Sequence, residues 1–229
     1  MTPPPPFPDL IARLEDHYGP PPLPPARDPF ALILWEAVAY LVPDERRNQA
    51  FTMLRDTVGL DAASILKASD AQLLAAARLG GMHPERRVER LRECAEIVIE
   101  ECEGDLIAVL MGPLVKAKKQ LQRFSGIGEP GAEKILLFTH TAPILALESN
   151  GVRVLTRMGY APELKNYSAT YRALREALAP TLPTDCAWLI AAHQLLRQHG
   201  QEVCKTTNPR CGECVVRKGC AYGKSFRPQ

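Results

Sequence analysis

A chain of 229 residues can build one large domain or two smaller ones, and 46% hydrophobic against 24% charged residues leaves enough apolar material for a packed core. No apolar run is long enough to cross a bilayer, and the opening MTPPPPFPDL lacks the basic start and apolar stretch of a secretory signal, so a cytoplasmic protein is expected, nucleoid-associated if the source is prokaryotic. A net charge of +2 is too mild to imply a polyanionic partner by itself, and an odd count of seven cysteines without an export signal argues against a disulfide scaffold.

Proline crowds the first 25 residues, and between its runs Leu10, Ile11 and Leu14 fall on one helical face, which predicts a short helix between extended proline segments. Ala31 to Val42 is almost wholly apolar and reads as a buried central helix stopping at Pro43. Asp44 to Val58 follows and ends at Gly59. Ser69 with Gln72 forms a capping box for a helix that closes near Gly80. Pro84 suits a first helical position, and beyond it Val88, Leu91, Ala95, Val98, Ile99 and Cys102 make one apolar stripe that Gly104 ends. Cys94 and Cys102 are accordingly packing residues. Further helices are expected at 105–111, 113–124, 131–139, 150–158, 169–179 and 185–199, with Ala142 to Leu147 a short extended connector. The fold class is all-α.

The remaining chemistry sits in two short stretches. Cys204, Cys211, Cys214 and Cys220 are separated by six, two and five residues. Four thiolates bind either zinc or a [4Fe–4S] cluster, and one CxxC flanked by longer arms favours the cube-shaped cluster over a zinc ribbon built from two close pairs. Arg210, Arg217 and Lys218 surround these cysteines. In the second stretch, Phe124-Ser125-Gly126-Ile127-Gly128 joins two helices. Glycines spaced this way allow a tight turn whose backbone N–H groups approach a phosphate, with the positive end of the next helix behind them. An ordinary interhelical turn is the plainer reading. Lys116, Lys118, Lys119 and Arg123 beside the turn, with Lys134 beyond, favour phosphate.

Together the hairpin FSGIG and the cysteine run resemble the endonuclease III branch of the helix–hairpin–helix DNA glycosylases. NPRCGEC, His199-Gly200 and Gly81-Met82-His83 before a long basic helix are similar to that family's surroundings, over roughly residues 28 to 222. The resemblance implies a six-helix domain, 29–140, ending in the hairpin. It implies a second helical domain, 1–28 plus 141–229, carrying a [4Fe–4S] cluster on Cys204, Cys211, Cys214 and Cys220. Double-stranded DNA with a damaged or mismatched base would lie across the cleft between them, its target base flipped out, and the protein would act as a monomer. Ser125, Gly126, Ile127, Gly128 and Lys134 would grip its backbone, joined by Lys205 and Arg210 of the cysteine loop.

The departures from the pattern shape the expected activity. Bifunctional members carry a lysine two residues after the second hairpin glycine, and here that residue is Pro130, which has no amine. Lys134, one turn on, is a weak substitute. The family's aspartate before an Arg-Val helix is matched by Glu148 in Leu147-Glu148-Ser149-Asn150, ahead of Arg153-Val154. A carboxylate there stabilises the sugar cation that forms as a base leaves, or activates water; a plain helix cap is the competing reading. No glutamine occupies the stretch Trp35 to Leu41, where many members place a residue that fills the vacated base position, which leaves Tyr40 or Leu41 as the apolar wedge. A glycosylase without lyase chemistry is the expectation, and a catalytically degenerate lesion- or structure-binding protein the alternative.

Overall fold

The structure is a computed structural model and describes residues 3–225. In chain order its α-helices are α1 (Phe7–Tyr18), α2 (Pro29–Val38), α3 (Asp44–Thr57), α4 (Ala62–Lys67), α5 (Asp70–Leu79), α6 (Pro84–Glu101), α7 (Leu106–Leu110), α8 (Leu114–Leu121), α9 (Glu129–Phe138), α10 (Ser149–Met158), α11 (Tyr167–Leu178), α12 (Cys186–Glu202) and α13 (Ala221–Ser225). Among the described residues there is no strand, and no helix is long and apolar enough to cross a membrane. The chain divides into two compact units, Pro24–Ala142 and Met1–Leu23 with Pro143–Gln229, so the divisions fall a few residues outside the expected 29 and 140.

In the unit Pro24–Ala142, α2 supplies the centre. Phe30, Leu32, Ile33, Leu34 and Val38 are all buried, and α3, α6 and α9 pack around it. Burying each such side chain contributes roughly 2 kcal/mol. The helix stops at Val38, four residues short of the expected Val42. Ala39 is extended, the Tyr40 N–H donates to the Gly80 carbonyl at 3.1 Å, and Leu41 takes a left-handed φ of 53°. Gly80 permits this approach, because a Cβ there would lie 1.8 Å from the Val38 carbonyl oxygen. The capping box forms as expected, Ser69 and Gln72 exchanging side-chain and backbone hydrogen bonds. The α6 stripe buries Val88, Leu91, Cys94, Ala95 and Val98, with Cys102 just beyond the helix. Ile99 is a correction: it is 44% exposed, since one step past Val98 turns a side chain about 100° around the axis. The six-residue α4 was not anticipated.

In the other unit, α1 lays Phe7, Leu10, Ile11 and Leu14 inward and packs on α12, which also packs on α10. The α10–α12 approach is close: a Cβ on Gly200 would lie 2.5 Å from the Asn150 Cβ. Segment 143–147 leads into α10 without helix, and Ile144, Leu145, Ala146 and Leu147 are buried along it.

Candidate functional site

The hairpin between α8 and α9 is anchored from below and open above. Phe124 and Ile127 are buried, and the Ile127 N–H donates to the Phe124 carbonyl at 3.0 Å. Gly126 turns the chain at φ 86°, while Ser125, Gly126 and Gly128 are exposed. Gly128 is the N-cap of α9 and has no side chain to cap with, so the positive end of the helix faces outward without an internal acceptor. Pro130 lies in the first turn of α9, where its fixed φ fits.

The cations near this turn are deployed unevenly. Lys118 Nζ sits 2.5 Å from Glu133, whose side chain is fully buried, and 3.5 Å from Glu129. Arg123 forks onto Glu101 through Nη2 at 3.0 Å and Nε at 3.2 Å. Lys134 corrects an expectation. It does not stand at the hairpin surface but pairs with Glu36 of α2 at 2.5 Å, in a small cavity with Trp35, Ile135 and Phe138. Lys116, Lys119 and Arg123 of the expected group are exposed, Arg123 while paired with Glu101.

Two loops in the same unit present apolar tips. Tyr40 is 62% exposed, Leu41 77% and Met82 69%. Both loops use left-handed residues, Leu41 and His83; the Tyr40 N–H on the Gly80 carbonyl joins them, and Arg46 of α3 donates through Nε to the Leu79 carbonyl of α5 at 2.7 Å. Strained backbone that holds large apolar side chains in solvent is a functional signature. Sequence reasoning missed Met82 as a tip; its signal was the Gly-Gly pair before it.

Glu148 is the N-cap of α10. Its Oε1 accepts from the Gly151 N–H at 3.0 Å and its Oε2 from Asn150 Nδ2 at 2.8 Å. The chain of contacts continues: Arg153 donates to Asn150 Oδ1 at 2.5 Å, to the Gly200 carbonyl at 2.8 Å and to the Cys204 carbonyl at 2.7 Å. Tyr167 lies beside Glu148, its hydroxyl 3.5 Å from the Leu147 carbonyl, and burial together with the Glu148 charge pushes its phenol up to about 12. It is 42% exposed and stacks on the buried Tyr171.

The four cysteines ring one small cavity with Val154, Met158, Val203 and Val216, and no carboxylate lines it. Arg157, one turn past Arg153, places Nη1 3.5 Å from Cys204 Sγ and donates to the carbonyls of Lys205 at 2.7 Å and Thr206 at 3.1 Å. The Gly223 N–H points at Cys220 Sγ at 3.2 Å. His199 is buried between Tyr18, whose hydroxyl is 2.9 Å from Nδ1, and Cys214, whose sulfur is 3.5 Å from Nε2. Burial pushes the Cys214 thiol up to about 11 and raises Cys211 and Cys220 as well. The four sulfurs, with valine and methionine walls and Arg157, Arg217 and His199 at the same cavity, make a soft donor set that fits an iron–sulfur group. Lys205 is half-exposed on the ligand loop; Arg210 is exposed, 3.8 Å from Glu213.

No family model matches the sequence. The chain is 26% identical to endonuclease III of Sulfolobus acidocaldarius over 197 residues, covering 86% of this chain and 83% of that protein. Among solved structures it resembles a non-covalent endonuclease III–DNA complex, with a TM-score of 0.74 at 18% identity over 95% of each chain. It also resembles a thermostable thymine-DNA glycosylase, with a TM-score of 0.75 at 17% identity over 96% of this chain and 97% of that one.

Proposed function

As a homologue of endonuclease III with the helix–hairpin–helix DNA glycosylase fold, this chain, we propose, is a base-excision DNA glycosylase that releases a damaged or mismatched base and leaves the strand intact. The observation that carries the reading is the pair Glu148 and Pro130: a carboxylate held at a helix N-terminus, and no amine where a Schiff base would form. Water is then the nucleophile. Each Glu148 oxygen has already accepted one hydrogen bond, and each retains a lone pair to take a proton from water or to stabilise the positive sugar.

The other residues hold the substrate. Ser125, Gly126 and Gly128 grip backbone phosphate through main-chain N–H groups, the Ile127 N–H being taken by the Phe124 carbonyl, and Tyr40, Leu41 and Met82 wedge between bases. Cys204, Cys211, Cys214 and Cys220 would hold a [4Fe–4S] cluster, which fixes the loop that carries Lys205 and Arg210. Four sulfurs around a shared space suit the corners of a multi-iron cluster.

The test is a panel of duplexes with oxidised, deaminated, alkylated or mismatched bases, scored separately for base release and strand scission. Release without scission until alkali is added supports the reading; borohydride trapping of a covalent complex overturns the hydrolytic part. Glu148→Gln is expected to lower release about a hundredfold, since a misplaced or neutral group at the reacting centre costs about that much.

One observation favours a second reading, that of a lesion binder without turnover: both Glu148 oxygens are engaged in holding α10 and its own loop. Tight binding to abasic duplex with no release from any substrate would establish it.

A further inference from the structure

Cys204, Cys220 and Cys214 each face a nitrogen donor, and the donors differ in kind: Arg157 Nη1 at 3.5 Å, the Gly223 N–H at 3.2 Å and His199 Nε2 at 3.5 Å. A guanidinium and a backbone amide only donate. An imidazole presents either an N–H or a lone pair at Nε2, and the partner at Nδ1 decides which. That partner is the Tyr18 hydroxyl, at 2.9 Å.

Tyr18 is held in register by the whole of α1. Phe7, Leu10, Ile11 and Leu14 bury one face of the helix, and Tyr18, one turn past Leu14, continues it. At the start of α1, Phe7 packs edge-on against Tyr160 and Trp188, with ring centres 6.0 and 5.8 Å away, and the Tyr160 hydroxyl donates to the Pro5 carbonyl at 2.7 Å. At its end, the Gly19 N–H closes on the Glu15 carbonyl at 2.8 Å. His199 is equally fixed. It is 1% exposed, and its carbonyl accepts from the N–H groups of Val203 and Cys204 at 3.0 and 2.8 Å as α12 passes into the cysteine loop.

We propose that Tyr18 and His199 relay a hydrogen bond from α1 onto Cys214, and that this bond raises the reduction potential of the cluster. The inference rests on the four cysteines holding a [4Fe–4S] cluster, and it names residues outside the ligand set that tune it. A sulfur bound to iron carries no proton, so Nε2 must bring one, and Nδ1 then accepts from the Tyr18 O–H. An N–H bond to sulfur strengthens as the sulfur gains negative charge, so it favours the reduced form. Both are positioning residues, acting through Cys214.

The experiment is voltammetry of the full chain in its iron-loaded form, with iron counted per protein. His199→Leu removes the N–H and is expected to move the balance about tenfold towards the oxidised form, a fall in midpoint potential of about 59 mV for one electron, at unchanged iron content. Tyr18→Phe moves it the same way by a smaller factor, because the imidazole remains. His199→Gln, whose amide N–H replaces that of Nε2, restores the potential. In the His199→Leu background Tyr18→Phe adds nothing, the failure of additivity that marks two residues in one network. An unchanged potential in iron-loaded His199→Leu, or an equal shift from Tyr18→Phe with and without His199, overturns the relay and leaves the cluster reading standing. If His199→Leu does not fold, the other two variants decide: a fall in Tyr18→Phe and none in His199→Gln supports the relay, and no fall in Tyr18→Phe overturns it. A natural chain that binds no iron overturns the cluster reading and the relay together.

Discussion

The hairpin and the cysteine loop both carry cations, yet they employ them in opposite ways. Around the hairpin, Lys118, Arg123 and Lys134 are neutralised by Glu133, Glu101 and Glu36. At the cysteine loop, Arg153 and Arg157 donate to the carbonyls of Gly200, Cys204, Lys205 and Thr206, none of which bears charge. A guanidinium held by carbonyls is fixed in place and keeps its field; a lysine held by a carboxylate gains order and loses it. The lesson is that a count of lysines and arginines near a motif says little until their partners are known. If both meet DNA as proposed, the hairpin does so chiefly through its backbone and the loop through side-chain charge.

Four measurements break or sharpen that contrast. The largest effect is expected from Cys211→Ala, which loses the brown colour of an iron–sulfur protein and weakens DNA binding by more than about tenfold; a colourless variant with full affinity would remove the loop from the comparison. Gly200→Ala is next. Its new methyl meets Asn150 and costs about 3 kcal/mol in a urea melt, because α10 and α12 have no slack at that point. Lys118→Met is expected to lose about 2 kcal/mol, seen as a fall in Tm of about 6 °C, since it deprives the buried Glu133 of its cation. If instead it weakens DNA binding at unchanged stability, the lysine is a phosphate ligand and the contrast fails. The smallest effect is that of Lys116→Met: no change in Tm, and a salt-dependence slope shallower by about one counterion if this exposed lysine meets a phosphate.

What the sequence revealed and what it withheld divide by distance along the chain. Signals carried by near neighbours along the chain were legible: the Ser69–Gln72 box, the Val88–Val98 stripe and the glycine turn. Four-residue shortening of α2 was not, because it arises from Gly80 meeting Val38, and the two are brought together only by the fold. Nor was α4, whose six residues are too few to show a period. Lys134 was misplaced for the same reason, since its partner Glu36 lies 98 positions away. Glu148 shows a subtler limit. Its place in the sequence suggested both a reacting carboxylate and a helix cap, and the geometry makes it a cap without removing its remaining acceptor capacity. Tyr18 gave no signal at all, because its partner His199 lies 181 positions along the chain.

Arg153 holds three acceptors at once. They come from α10 itself, from the end of α12 and from the Cys204 carbonyl, and they meet a planar fork in three fixed directions. Lysine would reach one of them. If the four cysteines hold a cluster as proposed, a lineage that drifted to lysine here would keep its colour, since every cysteine survives, yet Asn150, which donates to Glu148, would lose its anchor. Spectra and turnover would then part company, and colour alone would misreport which descendants still excise bases.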